Sequence, residues 1–350
     1  MKSQKTIDRA PTNGERKGKD FASDQDVRWC PGCGDYTILK QVQNLMPKTG
    51  IDPENIVFIA GIGCSSRFPY YMNTYGIHGI HGRAPAIATG LKAAQPKLSV
   101  WVVTGDGDGL SIGGNHMIHT LRRNLDLNIL LFNNEIYGLT KGQYSPTSRV
   151  GHVTRSTPMG SIDNPFNPLS LALGANGSFV ARTMDRDPKH LQVLLERTHL
   201  HKGTSFLEIY QNCIVFNDGA FNSYTDKSTR DTTSIYLEDG QPLKFGPDDR
   251  HGIRLDGYRP EVVDLQKGDW SDDDLWIHDE KDRNKAWLLT TFFEDNREVG
   301  HLPRPFGVLF AEERSTYEGL LQDQIAAAKD QHGEPNLDEL LAGEETWVVT

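Results

Sequence analysis

Residues 99–110 read SVWVVTGDGDGL, an apolar run that ends in a glycine-rich turn containing two aspartates. The run at 99–104 has no polar alternation, which is typical of a parallel strand covered on both faces. Residues 113–123 follow with helical periodicity, and residues 128–132 form a second apolar run. The stretch therefore predicts strand, turn, helix and strand, with the turn at the edge of the sheet where ligands bind in doubly wound folds.

The same alternation of strand-length and helix-length segments continues along the chain. Strands are predicted at 55–60, 98–104, 128–132, 177–182 and 205–210, and helices at 84–94, 113–123, 168–174, 189–201, 316–329 and 337–341. This order predicts an α/β fold, a doubly wound and mostly parallel sheet.

Charge divides the 350 residues into unlike regions. The net charge is −10, which argues against a protein that grips nucleic acid through a basic surface. Residues 241–350 carry −13 and the rest +3, so we expect a mobile N-terminal arm (1–25), a main domain (26–240) and an acidic C-terminal extension (241–350). Without a signal peptide or an apolar stretch of membrane length, we expect a cytoplasmic protein with no membrane partner.

The glycine-rich turn carries the densest chemical signal. Its glycines let backbone amides approach a diphosphate, and Asp106 beside them is suited to hold the neutralising divalent cation. Asn133 and Asn134 end the next predicted strand, so they should reach the same edge. A dinucleotide fingerprint needs glycine, and a calcium loop needs Asp or Asn, where Leu110 stands. A purely structural turn would leave the converging carboxylate and amide unexplained.

Four cysteines are too few for a disulfide scaffold and indicate metal or redox chemistry. Cys30 and Cys33 form a tight knuckle, while Cys64 and Cys213 each follow a predicted strand. If these strand ends converge, the four thiolates meet, which suits an iron–sulfur cluster or a structural zinc. Four unrelated buried thiols are the third interpretation.

The glycine-rich turn and the asparagine pair together resemble a known cofactor-binding motif. Gly105-Asp106-Gly107 followed by Asn133-Asn134 resembles the thiamine diphosphate-binding motif, which implies a thiamine diphosphate-binding fold. By that resemblance Asp106, Asn134 and the carbonyl of Ile136 hold Mg²⁺. The residues placed near the diphosphate are Gly105, Gly107 and Asp108.

The segments CPGCG, GIGCSSR, HGRAPAIATG and NNEIYGLTKGQYSPT together resemble the beta subunits of 2-oxoacid:ferredoxin oxidoreductases. The likeness covers about residues 27–220, with the motifs in the family's order, and the long chain resembles the 2-oxoglutarate-using branch. It implies that the cofactor contacts include Ser65 and His81. It also implies one [4Fe–4S] cluster, bound by Cys30, Cys33, Cys64 and Cys213.

This resemblance implies CoA-dependent, reversible oxidative decarboxylation of a 2-oxoacid, here 2-oxoglutarate to succinyl-CoA and CO₂, with electrons passed to ferredoxin. Arg67 and Lys141 are the cations expected to bind substrate carboxylates. A partner alpha subunit is expected to supply the glutamate that activates the cofactor. Two alternatives stay open, a non-redox thiamine diphosphate-dependent decarboxylase and a zinc-stabilised assembly module without catalysis.

Overall fold

The computed structural model describes residues 16–292, 302–345 and 347. Eleven strands lie in these ranges: β1 (Ile56–Ala60), β2 (Tyr75–His78), β3 (Ser99–Gly105), β4 (Leu127–Asn133), β5 (Phe179–Met184), β6 (Thr204–Tyr210), β7 (Ser234–Tyr236), β8 (Lys244–Phe245), β9 (His251–Asp256), β10 (Arg259–Asp264) and β11 (Arg304–Ala311). Eight form a central sheet in the order β2-β1-β3-β4-β6-β5-β11-β7, and β10-β9-β8 form a small antiparallel sheet. In the central sheet only the β11–β5 pair is antiparallel among the described strands.

The helices of the described ranges are α1 (Asp35–Thr49), α2 (Ala84–Ala94), α3 (Asp106–Leu110), α4 (Gly114–Arg123), α5 (Pro168–Gly174), α6 (Pro188–Leu200), α7 (Asn222–Thr225), α8 (Arg230–Thr233), α9 (Arg283–Thr291), α10 (Tyr317–His332) and α11 (Leu337–Ala342). The predicted bounds of α2 and α5 are confirmed to the residue, because periodicity and a leading proline mark them locally. None of the helices in this described part of the chain is both long and apolar enough to cross a membrane.

Helices cover both faces of the central sheet, as the apolar strands predict. On one face α1 and α6 pack over a core that includes Phe58, Trp101 and Phe132. On the other, α2, α4 and α5 pack over a core that includes Val102 and Ile129. The doubly wound, mostly parallel α/β fold is thereby confirmed.

Parts of both chain ends pack against the main domain, although the sequence predicted a mobile arm and a separate extension. β11 lies within residues 241–350 and pairs antiparallel with β5, so part of the acidic extension completes the central sheet. Of the expected N-terminal arm, residues 1–15 lie outside the described ranges. Residues 16–25 pack on the domain because Phe21 is fully buried in the core beside α1.

Candidate active site

The carboxyl ends of the central strands bring the predicted site residues to one edge. β3 and β4 pair in parallel up to Gly105 and Phe132, and β4 and β6 pair up to Asn133 and Tyr210. The segments that follow each strand therefore leave the sheet side by side. Asp106 follows β3, Asn134 follows β4, and Cys213 lies a few residues after β6.

Asp106 begins α3 and is 2% exposed. Its Oδ2 accepts hydrogen bonds from the hydroxyls of Ser145 and Thr147, each at 2.6 Å. Burial raises the pKa of the Asp106 carboxyl to about 6, against the opposing effect of these hydroxyls. A bound cation would favour its ionised form, so the surroundings suit a metal ligand.

Asp108 has a different environment, although it lies only two residues further on. Its Oδ1 accepts hydrogen bonds from the backbone N–H groups of Ile62 (2.9 Å) and Gly82 (2.7 Å), and lies 2.8 Å from Nδ1 of His81. Its Oδ2 accepts from the Thr104 hydroxyl at 2.7 Å. Asp108 thus ties the segments after β1 and β2 to the glycine-rich turn and orients the His81 ring.

The glycines of the turn make room for neighbouring side chains. A methyl group on Gly107 would lie 2.1 Å from Cε1 of Tyr137, whose hydroxyl donates to the Gly107 carbonyl at 3.0 Å. A methyl group on Gly105 would lie 3.4 Å from Oγ of the buried Ser65. Tyr137 therefore packs directly against Gly107, and Ser65 lies in contact range of Gly105.

Asn134 is partly buried immediately after β4. Its side-chain Nδ2 donates to Oε1 of Gln211 at 2.8 Å, and its Oδ1 accepts from the backbone N–H of Ile136 at 3.2 Å. Ile136 is 3% exposed, so its side chain is buried beside the partly buried Asn134. Carboxylate, amide and backbone oxygens are the ligand types that Mg²⁺ prefers.

The cysteines surround the neighbouring part of this edge. A methyl group on Gly138 would lie 3.5 Å from Sγ of Cys64 and 3.6 Å from Sγ of Cys213. The charges of Cys64 and Cys213 each raise the pKa of Cys33, and the charge of Cys30 raises the pKa of Cys64. In the described ranges, no three Cys, His, Asp or Glu side chains converge closely enough to share a single metal ion.

Burial governs the acidity of these thiols. It raises the pKa of Cys33 above its ordinary value, with a further increase from Asp35, and raises the pKa of Cys64 to about 12. Asp35 is itself buried, its Oδ1 has no hydrogen-bond partner in the described structure, and burial raises its pKa to about 7. Thiolates in this pocket therefore require a compensating positive centre.

Of the two predicted substrate cations, Arg67 lies near a thiol and Lys141 lies in the turn that follows Gly138. Arg67 is one turn past Cys64, and its charge lowers the pKa of that thiol against the effect of burial. The exposed Lys141 has φ of 76° in a turn where its N–H donates to the carbonyl of Gly138 at 3.0 Å. Among the described residues neither the Arg67 nor the Lys141 side chain forms an ion pair or a hydrogen bond, so both are available to an anion.

Glu208 and Gln211 also belong to this edge, although no sequence pattern predicted them there. Asn133 Nδ2 donates to Glu208 at 2.8 Å, and its Oδ1 lies 2.9 Å from the Thr147 hydroxyl, which donates to Asp106, so that these contacts link Glu208 to Asp106. Gln211 contacts both Asn134 and Cys33. No spacing rule marks such residues, because each is recognised only by its partners across neighbouring strands.

Comparison with known proteins agrees with the geometry. A family model described as "Thiamine pyrophosphate enzyme, C-terminal TPP binding domain" matches residues 61–209. The 2-oxoglutarate oxidoreductase subunit KorB of Mycobacterium tuberculosis is 50% identical over 340 residues, 97% of this chain and 90% of that protein. The 2-oxoacid:ferredoxin oxidoreductase subunit beta of Saccharolobus solfataricus is 42% identical over 246 residues, 70% of this chain and 78% of that protein.

A solved structure extends the likeness to the whole fold. The 2-oxoglutarate:ferredoxin oxidoreductase from Magnetococcus marinus, with 2-oxoglutarate, coenzyme A and succinyl-CoA bound, has a chain 32% identical to this one, with a TM-score of 0.75. The match covers 96% of this chain and 99% of that one. This chain belongs to the family of 2-oxoacid:ferredoxin oxidoreductase beta subunits, and its α/β domain is a thiamine diphosphate-binding fold.

Proposed function

We propose that this chain is the subunit of a 2-oxoglutarate:ferredoxin oxidoreductase that binds thiamine diphosphate, Mg²⁺ and one [4Fe–4S] cluster. The complex converts 2-oxoglutarate and CoA to succinyl-CoA and CO₂ and passes the electrons to ferredoxin. The observation that carries this proposal is the shared edge of the sheet. The buried Asp106 follows β3, while Cys64 and Cys213 follow the nearby strands β1 and β6.

The residues around Asp106 fit a diphosphate held through Mg²⁺. Asp106, Asn134 and the Ile136 carbonyl supply hard oxygen ligands. Gly105 and Gly107 let Ser65 and Tyr137 pack on the turn, and the histidine held by Asp108 is only partly buried and can reach a phosphate. Burial raises the pKa of the Asp106 carboxyl to about 6, and a bound cation would favour its ionised form.

The thiols fit an iron–sulfur cluster better than a single zinc ion. Among the described residues no three of Cys30, Cys33, Cys64 and Cys213 converge closely enough to hold one metal ion, while the sulfurs of Cys64 and Cys213 both lie beside Gly138. Iron would supply the positive charge that partly desolvated thiolates need. Four iron atoms also occupy more room than one ion.

When bound, thiamine diphosphate supplies the carbanion that attacks a 2-oxo carbon, and the cluster accepts electrons singly. Arg67 and Lys141 bind the two carboxylates of 2-oxoglutarate, because Arg67 lies near Cys64, Lys141 lies in the turn after Gly138, and neither side chain is paired with an acid among the described residues. The planar guanidinium of Arg67 gives the more directional, bidentate contact. A 2-oxoacid with a single carboxylate would use only one of them.

We infer that a partner alpha subunit supplies the glutamate that activates the cofactor's aminopyrimidine ring. The relatives named as beta subunits support such a partner. The functional unit is then a hetero-oligomer.

The experiment is anaerobic viologen reduction by the complex purified through this chain, given CoA with either 2-oxoglutarate or pyruvate. Iron, sulfide and thiamine diphosphate are measured on the same sample. We expect stoichiometric cofactors and strong preference for 2-oxoglutarate. Arg67→Gln and Lys141→Gln should raise KM for 2-oxoglutarate about tenfold or more, whereas the exposed Lys97→Gln should not.

Other outcomes identify the alternatives. Preference for pyruvate would keep the chemistry and overturn the roles of Arg67 and Lys141. Decarboxylation without dye reduction, in a sample lacking iron and sulfide, would establish the non-redox decarboxylase. One zinc per chain without thiamine diphosphate would establish the assembly module.

A further inference from the structure

Gln211 lies between the two candidate centres. It follows β6 directly and is 1% exposed. Its side-chain Oε1 accepts the 2.8 Å hydrogen bond from Asn134, and its Nε2 lies 3.2 Å from Sγ of Cys33, to which it donates. One uncharged side chain thus contacts a candidate magnesium ligand and a candidate cluster ligand.

The backbone holds this side chain in place. The Gln211 N–H donates to the carbonyl of Asn133 at 2.9 Å, which extends the β4–β6 ladder, and Nε2 also donates to the carbonyl of Asn212 at 2.6 Å. Both hydrogens of Nε2 are therefore used, one of them on sulfur. Across residues 16–292, 302–345 and 347, no other side chain donates an N–H···S hydrogen bond to a cysteine.

We propose, on the basis of the proposed function, that Gln211 is a positioning residue that couples the two centres. Its N–H stabilises negative charge on the Cys33 sulfur, which favours the reduced cluster and raises its reduction potential. Its carbonyl fixes the Asn134 amide so that the Asn134 oxygen is presented to Mg²⁺. A change at this single position should therefore affect two measurable properties.

The two contacts can be separated by substitution. Gln211→Leu keeps the volume and removes both hydrogen bonds. Gln211→Glu, studied at about pH 9 to favour the carboxylate, keeps an acceptor for Asn134 but offers no N–H to sulfur. Gln43→Leu is the matched control, since Gln43 is a buried glutamine on α1 that donates to the Tyr71 carbonyl.

The full complex with its cofactors is used for both readouts, a redox titration of the cluster by electron paramagnetic resonance and retention of Mg²⁺ against a chelator. In Gln211→Leu we expect the ratio of reduced to oxidised cluster at fixed potential to fall about tenfold, or about 59 mV for one electron. Mg²⁺ affinity should fall about tenfold as well. Gln211→Glu should lower the potential and leave Mg²⁺ affinity near the wild-type value.

An unchanged potential in both Gln211 variants, or an equal shift in Gln43→Leu, would overturn the inference. Loss of Mg²⁺ affinity in Gln211→Glu equal to that in Gln211→Leu would overturn the role toward Asn134. A wild-type complex without iron and sulfide would instead refute the proposed function, and this inference with it.

Discussion

At Gly107 the absence of a side chain decides the shape of the site. The Tyr137 ring occupies the position of the missing methyl group and donates its hydroxyl to the carbonyl of the same residue. The ring fixes the glycine-rich turn against the segment after β4. Any side chain at position 107 must displace the ring or distort the turn, since packed interiors have little free space.

Gly107→Ala should therefore destabilise the chain by about 1–3 kcal/mol through overpacking. It should also weaken thiamine diphosphate binding, because the displaced ring no longer holds the turn. Chemical denaturation and cofactor titration measure the two effects.

Gly90→Ala is the matched control for that substitution. Gly90 lies within α2, and a methyl group there has open space. Alanine should stabilise this helix by about 0.5–1 kcal/mol. Equal behaviour of the two variants would contradict the role assigned to the Tyr137 contact.

A buried ion pair joins strands β5 and β6 and is connected by hydrogen bonds to the candidate site. Nε of Arg182 donates to Glu208 at 2.7 Å, and the two residues are 1% and 0% exposed. Glu208 also accepts from Asn133, which leads through Thr147 to Asp106. The pair thus contributes to positioning the candidate metal ligand as well as to stability.

Arg182→Met should cost about 3–5 kcal/mol in the free energy of unfolding, because it leaves the Glu208 charge buried without this partner. The double variant Arg182→Met/Glu208→Gln should recover part of that loss, since the glutamine is neutral and still accepts from Asn133. A double-mutant cycle by chemical denaturation measures the coupling. A double variant less stable than Arg182→Met would refute the charge argument.

Two histidines, one on α6 and one at its C-terminal cap, make the stability of the folded chain sensitive to acid. Burial lowers the pKa of His190 to about 4, and likewise lowers the pKa of His201 to about 4. Both are therefore neutral in the folded chain at pH values where the unfolded chain binds protons, near pH 6.5. Their contribution to stability is complete above about pH 6.5 and is lost as the pH falls toward about 4.

The expected loss across that range is about 1–3 kcal/mol per histidine. His190→Asn and His201→Gln keep a hydrogen-bonding nitrogen toward Thr183 and Ser178, and together they should flatten the pH profile of the unfolding free energy. The exposed His332→Gln should leave the profile unchanged. A wild-type slope that persists in the double variant would contradict the assignment.

At the scale of the whole molecule, the acidic C-terminal region has two unequal parts. β11 lies inside the central sheet between β5 and β7, and its Phe306 is fully buried. In α10 only Glu318 is buried, where its carboxylate accepts from the Asp126 N–H at 3.2 Å, and no residue of α11 is buried. The first part maintains the fold, and the second is available for contacts outside it.

Deletion of residues 333–350 should change the unfolding free energy of the isolated chain by no more than about 0.5 kcal/mol. Phe306→Ala should cost about 3–5 kcal/mol, because it empties a core position. Thermal and chemical unfolding of both variants test the contrast. A strongly destabilised deletion variant would show that the exposed part supports the fold after all.

Local pattern by itself determined most elements between β1 and β6 and the chemistry-bearing turn, but not α1, β2, α9 or the strands after β6. The bounds of α2 and α5 agree to the residue, and β3 and β4 to within one residue, because apolar periodicity and proline act over a few residues. The adjacency of the 106 and 134 segments also follows from sequence, since parallel strands end at one edge. The family was recognisable from contiguous motifs.

Only the tertiary structure decided which distant side chains complete the site. β11 pairs with β5 across more than a hundred residues of chain, and the contacts of Gln211, Glu208 and Asp35 link separate strands and turns. Such contacts depend on register and burial, which no local spacing encodes. The sequence therefore determined which ligand types the chain offers, and the packing of its sheet decided how they are held and joined.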